Sequence, residues 1–338
     1  MMESNEQHYP LVTIGVTTYN NESVSFGREE AVRRGLDSLT SQDWPNLKII
    51  IQDDCSNDST IRILEEYSAK YSYVTIYRNK KNIGVIKNIE TLLEKVDGEY
   101  FLWSCVDDYY CSDYISSCVK KLINFPEKIA CQSYILMKNP ESEVIFSYKE
   151  INIPSTLTEN TKLKKLCLQP CYSDDCSALN PFIHGVQKVV HAKIIYNHSY
   201  LLYFEEIIPL LFVWMGGVCV VEKVLFENCA KKGFRERYPT STFVKNQKNY
   251  LFLVCNMLKV LFLFIKLKLN GALKIKWGYL INTSFCLFGH FIRSYLLNSF
   301  FYKMKSFFFS ILIDNFPLLI EYYRKIKNCN KRSSRCKK

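Results

Sequence analysis

KIIIQDDCSNDST (residues 48–60) and EYFLWSCVDDYY (residues 99–110) decide how this chain reads. Each is an apolar, β-type run that ends on two carboxylates, Asp53-Asp54 in the first and Asp107-Asp108 in the second. Such a run predicts a buried strand, so the acidic pair falls where the strand gives way to a loop. Open α/β sheets bind ligands at the carboxyl ends of their strands. Two acidic pairs at one sheet edge suit a divalent cation and the anion it carries, which points to a nucleoside diphosphate.

Working outward, LVTIGV (residues 11–16) predicts a first strand and TTYNNES (17–23) a polar loop after it. Ala31, Val32, Leu36 and Leu39 recur at helical spacing and predict a helix over 28–39. Strands at 47–51, 74–77 and 99–104 alternate with helices at 61–71 and 87–96. Residues 11–110 therefore read β-α-β-α-β-α-β, a parallel sheet covered by helices. No G-x-G-x-x-G follows the first strand, which excludes a dinucleotide site of the dehydrogenase type. Further on, strands are expected at 130–137, 143–147, 186–190 and 218–221, a long loop at 167–182 and a helix at 207–214. Phe204-Glu205-Glu206 opens that helix.

The charge is unevenly spread. The 338 residues carry a net +11, yet residues 245–338 hold 18 Lys/Arg against 2 Asp/Glu, and residues 1–244 hold 26 against 31. The expected division is therefore a mildly acidic domain over 1–244 and a basic, aromatic-rich helical region over 245–338. The first divides into a nucleotide-binding half (1–110) and an acceptor and catalytic-base half (111–244). In the basic region, Asn249, Asn256, Lys259, Lys266 and Asn270 form a narrow polar stripe on a wide apolar helix. No run of 18 residues is free of charge, so an interfacial helix is expected rather than a spanning one. Helices that only complete the fold or join two copies are the alternative. The basic residues lie on apolar helices and no nucleic-acid module is present, which argues against DNA or RNA as partner. The opening MMESNEQHYP has no apolar core of a secretory signal. The 14 cysteines then read as free thiols in a reducing compartment. Cys167, Cys171 and Cys176 lack the paired C-x2-C spacing of zinc sites.

Each candidate site has a plainer reading beside it. Asp107-Asp108 could hold Mg²⁺ or Mn²⁺, with phosphates and water supplying the other oxygens, or could be a solvated turn. Asp54 could accept a base N–H, or could be an Asx-turn or cap, the role expected of Asp58. Thr17, Thr18 and Tyr19 could offer a hydroxyl and a ring face to a nucleotide, or could be an ordinary polar loop.

Taken in order, the motifs are more specific than any one alone. VTIGVTTYNNES is followed by LDSLTSQDWPNLKIIIQDDCSNDST, then by Asn82-Ile83-Gly84-Val85-Ile86-Lys87-Asn88, Gly98-Glu99-Tyr100 and Asp107-Asp108. In this order the chain resembles the family 2 glycosyltransferases. The resemblance implies an α/β fold of GT-A type, Rossmann-like, with a mostly parallel sheet flanked by helices and an α-helical C-terminal region. It also implies nucleotide contacts at Thr17, Tyr19, Asp54 and Asp107, a supporting role for Asp53 and a metal ligand at Asp108. One position departs from the pattern: Cys105 stands where many members carry an aspartate.

The family places an acidic catalytic base at the start of a later helix. Glu206 is favoured for it and Glu205 is the second candidate, with an ordinary acidic helix N-terminus as the plainer reading. His184-Gly185 matches a loop that borders donor sugar and acceptor. The implied activity is inverting transfer from a nucleotide-diphosphate sugar, UDP favoured, with a divalent cation as cofactor. The chain resembles the subgroup that builds bacterial O-antigen and capsule. That implies a lipid-linked oligosaccharide acceptor and a cytoplasmic protein peripheral on the inner face of the plasma membrane. The alternative is a non-catalytic member that binds a nucleotide sugar or scaffolds an assembly. A nucleotidyltransferase would carry a Gly-rich phosphate loop and a lysine after the first strand, and TTYNNES offers neither.

Overall fold

The structure is a computed structural model that describes residues 9–21, 28–139, 142–146, 152, 155–156, 159, 183–197, 204–229, 250–280 and 284. Met1–Leu280 form one compact unit and Ile281–Lys338 a second, of which only Ser284 is described. The boundary expected at residue 244, the loop at 167–182 and the cysteines at 167, 171 and 176 lie outside the described residues.

The first unit opens β1 (Val12–Thr18), α1 (Arg28–Thr40), β2 (Leu47–Asp53), α2 (Thr60–Lys70), β3 (Val74–Arg78), α3 (Val85–Glu94) and β4 (Tyr100–Cys105). There follow β5 (Tyr109–Tyr110), α4 (Tyr114–Asn124), β6 (Ala130–Asn139), β7 (Ser142–Phe146), β8 (Val186–Lys188) and α5 (Val189–Tyr196). The last described elements are α6 (Phe204–Met215), β9 (Val218–Cys229) and α7 (Tyr250–Leu269). The sheet runs β3-β2-β1-β4-β8-β6-β9-β5, with β7 beside β6. Its long ladders, β1 with β2 and β4, β2 with β3, and β6 with β9, are parallel. Shorter antiparallel ladders add β5, β7 and β8.

A sheet covered on both faces reads as unbroken apolar runs rather than alternation, and every residue of β1 is buried. Val32, Leu36 and Leu39 of α1 and Ile63, Leu64 and Tyr67 of α2 join that core. Each such aliphatic side chain contributes about 1.5–3 kcal/mol of burial.

Two elements end elsewhere than their sequence patterns predict. The apolar run at 186–190 is a strand only to Lys188, which pairs with Tyr100, the first residue of β4. Beyond that point β4 offers no further partner, and the chain turns into α5. The strand expected over 218–221 continues to Cys229, because β6 pairs with it as far as Lys138 across an irregularity at Ser133–Ile135. Glu222 and Lys223 are exposed within that continuation, so its polarity hid it.

Helix α1 lies very close to the turn that follows β4. A Cβ placed on Gly35 would sit 2.0 Å from the Val106 carbonyl oxygen and 3.0 Å from that of Asp108. Only glycine lets the helix reach this turn. Farther along α1, the Ser38 hydroxyl accepts the Tyr110 N–H at 3.2 Å, and just past the helix the Gln42 side-chain amide donates to the Cys111 carbonyl at 2.9 Å. The helix therefore sets the position of the acidic turn.

Helix α7 belongs to the same compact unit. Val260, Leu263, Phe264 and Leu267 form its buried stripe, and Phe264 meets Trp214 edge-on at 5.3 Å. The opposite side exposes Phe262 and Leu269, with Lys259 and Lys266 among them.

Candidate active site

Parallel pairing sets the depth of three strand ends. Thr18 lies opposite Asp53 on one side of β1, and Thr17 opposite Cys105 on the other. The loops after β1, β2 and β4 consequently meet at one edge of the sheet.

The first two loops are wired together. Asn20 adopts a left-handed conformation (φ 49°), which asparagine tolerates better than most residues. Its N–H donates to Ser56 Oγ at 2.9 Å, and its side-chain oxygen accepts the Asn57 N–H at 2.8 Å. Ser56 in turn donates its hydroxyl and its N–H to the fully buried Asp53 carboxylate. Arg78 Nε lies 3.3 Å from the same group. Asp53 is thus a brace inside the loop.

Asp54 is also buried and satisfied from within. Its carboxylate accepts Asn79 Nδ2 at 2.8 Å and the N–H groups of Ile83 and Gly84, both at 2.9 Å. Gly84 stands at φ 86°, where a side chain would be strained, so the turn can aim two N–H groups at one carboxylate. Of the roughly four acceptor positions on a carboxylate, three are taken by these residues. Tyr19, 43% exposed, presents its ring at the mouth of the loop. The Thr17 hydroxyl accepts Trp103 Nε1 at 3.1 Å, which leaves its proton available to a ligand.

The acidic turn joins three distant segments. Asn21 Nδ2 reaches Asp107 at 3.5 Å, while its oxygen accepts the Thr18 hydroxyl and the Tyr19 N–H. Asp108 accepts the Cys105 N–H at 3.1 Å and Asn228 Nδ2, from β9, at 2.9 Å. His184 Nδ1 lies 3.6 Å from Asp108 Oδ2. The imidazole stacks on Trp103 at 6.1 Å and leans on Phe226 at 5.3 Å. Burial pushes its pKa down to about 4, against the pull of a backbone hydrogen bond with Trp103 and the Asp107 charge. The ring is therefore neutral near pH 7. Gly185 follows where a Cβ would meet the Cys131 carbonyl at 2.7 Å.

The structure thus brings Thr17, Tyr19, Asp54, Asp107, Asp108, His184 and Gly185 to one region. Glu205 and Glu206 fall in the first turn of α6, and their side chains lie outside the described residues. Asn21, Asn79, Trp103 and Asn228 are the partners that motif reading missed. Among the described residues no group of three or more His, Cys, Asp and Glu forms a metal cluster by itself. A hard cation that takes its remaining ligands from phosphate and water needs only one or two from the protein. The buried His184 Nδ1, without a hydrogen-bond partner and facing Asp108, fits that incomplete shell.

Comparison with known proteins agrees with the fold. The glycosyl transferase family 2 profile matches residues 13–184. An uncharacterised protein of Mycobacterium tuberculosis is 38% identical over 114 residues, 32% of this chain and 32% of that protein. The glycosyltransferase GlyA of Streptococcus pneumoniae is 25% identical over 167 residues, 46% of this chain and 23% of GlyA. The crystal structure of S. aureus TarS 1–349 in complex with UDP-GlcNAc has a TM-score of 0.57 at 15% identity, covering 86% of this chain and 75% of that one. The chain spans about a third or less of the length of those two sequence relatives. The likeness to TarS is one of fold.

Replacing Asp54 by alanine strands three donors, at about 1–3 kcal/mol for each buried unpaired group. D54A should lower unfolding stability by about 3 kcal/mol or more, read by chemical denaturation at constant slope. Wild-type stability in D54A would mean that Asp54 does not brace the turn at 82–84.

Proposed function

The chain belongs to glycosyl transferase family 2, and from that premise we propose that it is an inverting glycosyltransferase acting from a nucleotide-diphosphate sugar. The observation that carries this reading is the meeting of three loops at one sheet edge: TTYNN after β1, Asp53-Asp54 after β2 and Asp107-Asp108 after β4. The first two suit a nucleoside. Tyr19 offers a ring face to a base, Thr17 a hydroxyl proton, and Asp54 its remaining acceptor position to a base N–H. Asp107, tied to Asn21, would orient the ribose and diphosphate. TarS, a neighbour in fold, is described with UDP-GlcNAc, which makes UDP-sugars the first donors to test.

Asp108 would hold a divalent cation, Mg²⁺ or Mn²⁺, whose charge would offset that of the departing diphosphate. Glu206 takes the proton of the acceptor hydroxyl, with Glu205 as the alternative base. The acceptor oxygen bonds to the anomeric carbon from the face opposite the diphosphate. The bond to the phosphate oxygen breaks, and its electron pair leaves with the nucleotide. Positioning and charge screening supply most of the effect. Cys105, in place of an aspartate, favours a second reading, a member that binds a nucleotide sugar without turning it over.

The acceptor in this reading is a lipid-linked oligosaccharide of surface polysaccharide, O-antigen or capsule, at the inner face of the plasma membrane. No described helix is long and apolar enough to cross a membrane. Support for a peripheral site comes from α7 and the turn after it, where Phe262, Leu269 and Trp277 are exposed beside Lys259, Lys266 and Lys276. Apolar side chains flanked by lysines suit an anionic lipid surface. Joining of two copies through the C-terminal helices remains a further use of that face.

Two measurements test these statements. With Mn²⁺ and UDP-GlcNAc, or the dTDP- or GDP-sugar that the protein turns over instead, E206Q should slow donor cleavage by about 10²–10⁴-fold and E205Q by far less. The reverse order would move the base to Glu205, and no cleavage of any donor by the wild type would favour the non-catalytic reading. In co-sedimentation, the protein should bind phosphatidylglycerol vesicles more strongly than phosphatidylcholine vesicles, and F262S/L269S should bind several-fold less. Equal binding by the variant would remove α7 from the contact.

A further inference from the structure

His184, just before β8, faces Asp108 of the acidic turn. Its side chain is 15% exposed, and Nδ1 is buried without a hydrogen-bond partner among the described residues. Nδ1 lies 3.6 Å from Asp108 Oδ2, beyond hydrogen-bond reach. A buried ring nitrogen with no hydrogen bond carries a desolvation cost. A cation between the two atoms would engage both. Adjacent ligand atoms of one octahedral ion, each at about 2.1 Å from it, stand roughly 3 Å apart, so a closure of about half an ångström would let both bind. The two groups are also held from behind. Trp103 and Phe226 pack on the imidazole, and Cys105 and Asn228 fix the carboxylate.

We infer that His184 Nδ1 and Asp108 Oδ2 bind one divalent cation together, and that His184 supplies the protein ligand lost where Cys105 replaces an aspartate. The inference rests on the nucleotide-diphosphate reading, in which phosphates and water complete the shell. An imidazole in place of a carboxylate keeps the ligand count and removes one negative charge. It also changes which ion is preferred, because Mg²⁺ is the harder ion and the more strictly bound to oxygen ligands. Mn²⁺ should therefore bind and activate better than Mg²⁺. H184N should lose most of this preference, since the asparagine amide offers an oxygen.

The test is pulsed electron paramagnetic resonance of the full-length protein with Mn²⁺ and UDP. The wild type should show nitrogen modulation from a bound imidazole, and H184N should not. Mn²⁺ affinity in H184N should drop by about tenfold or more. Mn²⁺ bound without nitrogen modulation, or modulation unchanged in H184N, would overturn the inference and leave the cation at Asp108 intact. Absence of Mn²⁺ binding with UDP, GDP and dTDP would overturn both. If H184N does not fold, oxidation of the wild type by Fe²⁺ and ascorbate decides. 2-Oxohistidine at His184, suppressed by excess Mn²⁺, supports the assignment; oxidation confined to His191 or the other histidines overturns it.

Discussion

Parallel pairing of β1 with both β2 and β4 is the constraint on which the rest of the site depends. A hydrogen-bond ladder fixes the register to within a residue, and a slip by one would turn every side chain to the other face. With Thr18 opposite Asp53 and Thr17 opposite Cys105, the three loops leave the sheet at one level. Their side chains then need only short bonds to join. Asn20 reaches Ser56, and Asn21 reaches Asp107. Helix α1 closes the arrangement from one side, with Gly35 against the acidic turn.

The two acidic pairs serve different ends. Buried carboxylates are costly unless donors surround them. Asp53 and Asp54 find those donors inside the protein, at Ser56, Arg78, Asn79, Ile83 and Gly84. They make two loops rigid before any ligand arrives. Asp108 is held by Cys105 and Asn228 and faces the His184 imidazole across 3.6 Å. The first pair is wired to the scaffold, and the second is the pair that the proposed reading assigns to the cation and the diphosphate.

Much of this was legible in the chain, for a local reason. β1 to β4 and the helices between them follow from short apolar patterns, and the motif residues at their ends follow from where strands stop. Asn79 and Asn21 sat within or beside quoted motifs but carried no signal of which carboxylate each would bond. Asn228 could not be read at all. It lies on the part of β9 whose charged Glu222 and Lys223 hide the strand, which continues only through pairing with β6 and β5. The contact of His184 with Asp108 joins residues 76 positions apart through packing on Trp103 and Phe226, which no local pattern encodes. The polar stripe of α7 was expected from its periodicity, while the apolar side chains it buries and their partner Trp214 were not.

The central claim is that Asp108 couples a divalent cation to a nucleoside diphosphate at this edge of the sheet. Calorimetric titration of UDP, GDP and dTDP into the intact protein tests it most directly, with Mn²⁺, with a chelator, and with D108A in the presence of Mn²⁺. The account predicts that one of the three nucleotides binds the wild type with Mn²⁺, and that chelation or D108A weakens it by about tenfold or more. Equal affinity under all three conditions, or binding of none, would contradict it.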